Sequence, residues 1–171
     1  MRDRRLLWRI STKRRKRWTL PYELDVLDPS VGYTVPLATV LASSSGSPGL
    51  AVDGEDIFVV EPDDAKVNRV QRSDGGSRTL VQLANTPGFG KPPTIGRIAV
   101  DANYVYFVTT GPSVTYQDGQ VLRVSRDGGT AETLASGQNT PIALAIAGPY
   151  VYWLNEGLDL VDGGAVMRHL R

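Results

Sequence analysis

From residue 37 onward the chain is a succession of short apolar runs separated by turn formers. Residues 57–60, 104–108, 143–147 and 150–154 are rich in β-branched and aromatic side chains and are flanked by Gly, Asp, Asn or Pro. Runs of that length and composition predict strands. In Gln120-Val121-Leu122-Arg123-Val124-Ser125-Arg126, apolar and polar residues trade faces with a period near two. No window sustains the 3.6-residue period of an amphipathic helix, so an all-β chain is expected. Asp53-Gly54, Asp74-Gly75 and Asp127-Gly128 fall between runs, and Asp-Gly suits hairpins whose central residues need positive φ.

The runs recur in register. Gly49-Leu50-Ala51-Val52-Asp53, Arg97-Ile98-Ala99-Val100-Asp101 and Ala143-Leu144-Ala145-Ile146-Ala147 open three segments whose central alanines lie 48 and 46 residues apart. Each opening is followed by an aromatic-rich run and then by Val67-Asn68-Arg69-Val70, Val121-Leu122-Arg123-Val124 or Val166-Met167-Arg168-His169. Short strands repeating every 40–50 residues mark the blades of a β-propeller. The expected fold is a partial β-propeller of about three four-stranded antiparallel blades, near residues 49–84, 96–135 and 142–170. The third supplies only three strands, and residues 37–42 match the missing fourth. Ala51, Ala99 and Ala145 are expected where inner strands approach closely. Phe58, Tyr104, Tyr106, Phe107, Tyr150, Tyr152 and Trp153 are expected to fill the space between blades.

Charge divides the chain. Residues 1–18 carry nine Lys or Arg and one acid, a net +8, while the remainder carries −7. A block of like charges resists packing, so residues 1–20 read as a disordered basic tail, with 21–36 a linker and 37–171 the repeats. Leu6, Leu7, Trp8 and Ile10 are interrupted by Arg9, which excludes a secretory signal by composition, and no stretch has the length of a membrane span. A nucleic-acid arm is disfavoured against the solvated tail. With no cysteine there is no disulfide, thiolate metal site or cysteine nucleophile.

Ile98-Ala99-Val100-Asp101, Val151-Tyr152-Trp153-Leu154-Asn155, residues 121–129 (VLRVSRDGG) and Leu134-Ala135-Ser136-Gly137-Gln138 resemble the repeats of six-bladed TolB-like propellers. They are similar to the VYWTN, DGG and LASGQ repeats of bacterial, notably myxobacterial, envelope proteins, and to YWTD and NHL blades. The resemblance covers about residues 37–171. It departs at Phe58-Val59-Val60 and Phe107-Val108, which lack the Trp, and in having about three repeats. It implies an extracytoplasmic or envelope location, although this chain shows no leader. Three blades do not close a ring, since propellers have 4–8. Two alternatives stand open: a homodimer closing one six-bladed ring, each N-terminal strand completing the partner's last blade, or a truncated reading frame.

Candidate chemistry is sparse. His169 is the only histidine and reads as an edge residue. Glu55, Asp56, Glu61, Asp63 and Asp64 read as a solvated acidic loop and lack the Asp-x-Asp-x-Asp-Gly spacing of a calcium loop. No catalytic, metal or cofactor residues are assigned. The longest departures from the repeat, residues 86–94 and 111–118, place Phe89, Lys91, Tyr116 and Asp118 on candidate binding loops. The expected function is a non-catalytic binding scaffold for an unidentified protein or small ligand. The alternative is part of a propeller enzyme of the lactonase or lyase type, which the resemblance permits.

Overall fold

The computed structural model describes residues 19–28, 33–43, 49–62, 64–111, 117–157 and 164–171, the first two segments as backbone strands. Among the described residues there are thirteen strands and no helix. Strands β1 (Thr19–Asp28) and β2 (Tyr33–Ser43) pair as an antiparallel hairpin. The first blade contains β3 (Leu50–Asp53), β4 (Asp56–Glu61), β5 (Lys66–Gln71) and β6 (Ser77–Gln82). The second contains β7 (Thr94–Val100), β8 (Tyr104–Thr110), β9 (Gly119–Ser125) and β10 (Glu132–Gln138). The third contains β11 (Pro141–Ala147), β12 (Tyr150–Asn155) and β13 (Ala165–Leu170). Each blade is an antiparallel meander paired in sequence order, and β7 lies beside β3 on one side and β11 on the other. The all-β partial propeller read from the repeat is the observed architecture.

Turn chemistry sets the strand boundaries. Asp53 pairs with Asp56, so the first hairpin turns on Gly54-Glu55 with Gly54 at φ 59°, and not on Asp53-Gly54. A glycine in the first central position is the signature of a type II′ turn. Gly148-Pro149 repeats the device in the third blade, with Gly148 at φ 53°. The second blade turns on Ala102-Asn103, held by Asp101, whose Oδ1 accepts the backbone N–H of Asn103 (2.9 Å) and Tyr104 (2.8 Å).

The aromatic second strands wedge the blades apart. Phe58 and Val60 of the first blade are fully buried against Val105 and Phe107 of the second. On the other face of the second blade, Tyr106 and Val108 are buried against Val151 and Trp153 of the third. Tyr104, Tyr150 and Tyr152 are only half-buried. For the latter two the reason is topological: strand alternation puts them on the far face of the third blade, opposite Val151 and Trp153.

Three expectations need correction. A close approach beside the inner strands falls at glycine: a Cβ on Gly49 would lie 2.7 Å from the carbonyl oxygen of Gly96. Ala51 is half-buried beside the first core cluster, Ala99 is half-buried, and Ala145 is exposed. Residues 21–36, read as a linker, hold most of β1 and the start of β2. Leu20, Tyr22, Leu24 and Val26 alternate with Pro21, Glu23 and Asp25. Residues 37–42 accordingly pair with β1 in this chain and not with β13. The basic tail expectation for residues 1–18 lies outside the described residues.

Candidate functional site

Antiparallel meanders sort their connections between two ends. One end carries the β3–β4, β7–β8 and β11–β12 hairpins, here called the turn end. The β5–β6 and β9–β10 connections lie at this end too, and the other end carries β4–β5, β6–β7, β8–β9, β10–β11 and β12–β13, with β6–β7, β8–β9 and β12–β13 the longest of all; it is called the loop end.

The loop end holds the residues singled out in the sequence. The β6–β7 connection folds on itself: Thr86 donates its N–H to the Lys91 carbonyl (2.8 Å), Phe89 donates to that of Thr86 (3.1 Å), and Gly88 and Gly90 sit at positive φ. This knot leaves Phe89 51% exposed with Lys91 exposed two residues on. Asp118, on the β8–β9 connection at the same end, is half-buried with its carboxylate against Gly111, where any Cβ would clash with it. Tyr116 lies outside the described residues. Topology therefore sets Phe89, Lys91 and Asp118 at one end of the second blade.

Buried oxygens that lack a hydrogen bond among the described residues also gather there. They include Thr109 Oγ1 at the end of β8, Asn139 Oδ1 between β10 and β11, and Asn155 Oδ1 at the end of β12. The Asn155 amide nitrogen donates to Gln138 Oε1 (3.1 Å), which also accepts the Trp153 indole N–H (2.9 Å). Buried acceptors of this kind are ordinarily met by water or a ligand donor.

The acidic group of the first blade is not the solvated loop expected. Asp56 and Glu61 are each only 8% exposed, because both occupy the buried strand β4 and each has found a partner. Asp56 accepts from Arg69 (2.7 Å) and from Arg126 of the second blade (2.9 Å). Burial works to raise the Asp56 pKa, but the two guanidinium groups outweigh it and hold the carboxyl below its usual range. Glu61 accepts from the Asn68 amide at 2.6 Å with Lys66 at 3.7 Å, and here burial prevails and pushes the carboxyl up. Glu55 and Asp64 are exposed, and Asp63 lies outside the described residues. Among the described residues no cluster of three or more His, Cys, Asp or Glu side chains is placed to hold a metal. His169 is exposed on the edge strand β13.

At the turn end the charged residues join neighbouring blades. Arg126, just past β9, pairs with Asp53 and Asp56 of the first blade and lies over the Phe58 ring, 5.1 Å from its centroid. Arg171, at the equivalent place after β13, pairs with Asp101 of the second blade. Both backbones repeat the match: the N–H of Arg126 donates to Asn103 and that of Arg171 to Pro149, each in its own hairpin. Burial acts to raise the Asp101 pKa, but the N–H groups of Asn103 and Tyr104, the Tyr106 hydroxyl and Arg171 hold it low. Asp101, Tyr104, Tyr106, Arg123 and Arg171 line an open pocket of about 330 Å³ between these hairpins. Sequence reasoning missed this set, although Asp53 and Asp101, and Arg126 and Arg171, stand at matching repeat positions.

No protein-family model matches the chain, and no characterised protein matches it by sequence. Solved structures match by fold. The PQQ-bound aldose sugar dehydrogenase of Streptomyces coelicolor superposes with a TM-score of 0.51 at 24% identity, over 74% of this chain and 45% of that one. A nidogen/laminin complex gives 0.53 at 14% identity, over 79% and 50%. BamB from Moraxella catarrhalis gives 0.54 at 13% identity, over 94% and 42%. The chain thus spans half or less of the length of these structures, and the likeness is one of architecture.

Proposed function

We propose that the chain is a non-catalytic β-propeller binding scaffold that meets its ligand at the loop end. The observation that carries this reading is the commitment of the recurring charged side chains to holding blades together. Asp53 and Asp56 are paired with Arg126 of the next blade, and Asp101 with Arg171, at the opposite end from the long β6–β7 and β8–β9 loops. What the loop end offers instead is an exposed aromatic, Phe89, a cation, Lys91, and hydrogen-bond acceptors at Thr109, Asn139 and Asn155. Those groups suit recognition of a donor-rich surface, such as a peptide or a polyol.

The solved structures of this architecture include a dehydrogenase as well as a complex between proteins, so the fold itself is neutral between binding and catalysis. The alternative is a lactonase- or lyase-type propeller enzyme, which would need convergent carboxylates with a divalent metal, or a His with a Glu. An envelope location and a second copy of the chain as partner belong to the same proposal. Incubating the full chain with Ca²⁺ and a panel of lactones tests it. Absence of turnover above buffer supports the scaffold, and saturable metal-dependent hydrolysis replaces it with the enzyme.

A further inference from the structure

The first two blades differ at one cross-strand pair. In the second, Arg123 of β9 stands opposite Glu132 of β10, and they meet through the arginine Nε at 2.9 Å and a terminal nitrogen at 2.8 Å. At the same point of the first blade, register places Arg69 of β5 opposite Arg78 of β6. Opposite charges facing across two strands stabilise the pair, and like charges there do the reverse. The first blade thus carries two guanidinium groups where its repeat carries an ion pair. Departures of that kind from local complementarity are characteristic of functional sites.

Both arginines reach toward the second blade. Arg69 gives its Nε to Asp56 at 2.7 Å. Arg78, 56% exposed, has one terminal nitrogen 3.5 Å from the Arg126 carbonyl oxygen. Asp127 of the β9–β10 turn comes between them, its Oδ1 lying 3.8 Å from a terminal nitrogen of Arg69 and 4.0 Å from one of Arg78. Both distances exceed hydrogen-bond length, and the Asp127 side chain is 88% exposed, so this contact holds little. The carboxylate of Asp74, on the β5–β6 turn, is occupied by the Gly76 N–H at 2.8 Å. Arg69, Gln71, Gly76, Ser77, Arg78 and Asp127 line an open pocket of about 360 Å³ at the turn end.

We propose that this pocket binds a phosphate monoester between the guanidinium groups of Arg69 and Arg78, with Asp127 displaced into solvent. A tetrahedral dianion presents oxygens to both arginines at once, whereas the single Asp127 oxygen closes on neither. The planar guanidinium fork is the side chain best matched to such a group. Gln71 and Ser77, both exposed, add an amide and a hydroxyl as further donors. The volume exceeds that of a bare ion and leaves room for the esterified group. Asp127 acts as a weak internal competitor that keeps the arginines apart from solvent anions until the ester arrives. The site lies away from the loop end, so it goes beyond the scaffold reading and does not depend on it.

Calorimetric titration of the full chain with inorganic phosphate, glycerol phosphate and acetate, at one fixed ionic strength, tests this. Glycerol phosphate should bind saturably at one site with Kd of about 1 mM or tighter, at least as well as phosphate and at least about tenfold better than acetate. Arg78→Gln should weaken binding at least about tenfold, and Asp127→Asn should tighten it about threefold. Arg78→Glu copies the second blade's ion pair, so it should abolish binding while melting no lower than the unaltered chain. Absence of saturable binding up to about 20 mM, acetate bound as tightly as the ester, phosphate preferred to it, or affinity untouched by Arg78→Gln would overturn the proposal. So would a lower melt for Arg78→Glu, since the facing arginines would then be no burden to the fold.

Discussion

Arg126 of the second blade reaches Asp56 of the first at 2.9 Å, across the seam between two sheets that share no strand pairing. Asp56 is only 8% exposed and its other oxygen is taken by Arg69. Arg171 makes the corresponding reach to Asp101, but Asp101 is already held by two backbone N–H groups and the Tyr106 hydroxyl (3.0 Å). The two clasps are topologically alike and energetically unequal. Arg126→Ala should cost about 2–3 kcal/mol, because it leaves a buried carboxylate short of a partner. Arg171→Ala should cost about 1 kcal/mol or less, because the donors that remain still satisfy Asp101. Urea unfolding of both variants measures the difference, and equal losses would contradict this ranking.

The same carboxylates set the acid limb of stability. Asp56 and Asp101 have folded-state pKa values below the usual value, so the unfolded chain binds protons more readily as pH falls. Their contribution is fully present above the unfolded value near 3.9 and is lost as pH drops through the lower folded values. Stability measured by urea should thus fall steeply below about pH 4. Asp56→Asn should reduce stability at neutral pH and flatten that limb, since it removes one of the two groups responsible.

Glu61 runs in the opposite sense. Burial raises its pKa despite Lys66 and the Asn68 amide, so its contribution is present below the unfolded value and is lost as pH rises through the folded one. The ionised form is a burden to the folded chain at neutral pH. Glu61→Gln keeps an acceptor for Asn68 and should raise the melting temperature at pH 7 while leaving it unchanged near pH 4. A loss at pH 7 would show that Lys66 contributes more than desolvation takes away.

The repeat was legible because the first two blades bury their second strands on both faces, and the pattern writes an aromatic at the same place in each copy, Phe58, Tyr106 and Tyr152. The clasps were harder to see. An arginine at 126 next to a DGG turn looks like a solvated loop end, and only the stacking of blades brings it to Asp53 and Asp56. The hairpin of β1 and β2 was hidden by its setting. Its alternation of Leu20, Tyr22, Leu24 and Val26 follows directly on the basic block and belongs to no repeat. Among the candidate loop residues Phe89 is 51% exposed, between Gly88 and Gly90, whose positive φ values only glycine adopts without strain.

A close backbone approach between the first two blades offers a test of how much packing forgives. Gly49 donates no side chain, and its carbonyl accepts the Val60 N–H at 3.0 Å, which anchors it to the first blade. A methyl group there would meet the Gly96 carbonyl oxygen at 2.7 Å, and Val60 and Ile98 at 3.1 and 3.2 Å. Backbone on one side and fully packed side chains on the other leave little room to relax. Gly49→Ala should cost about 1–3 kcal/mol by overpacking, with no contribution from φ. Gly54→Ala provides the contrast: its Cβ would meet nothing within 4 Å, yet its φ of 59° strains any other residue, so its cost of about 1 kcal/mol is purely conformational. Ala99→Leu, at a half-buried position, should cost less than Gly49→Ala. Urea melts of the three variants give the order, and a neutral Gly49→Ala would mean that the seam between β3 and β7 opens more readily than its spacing implies.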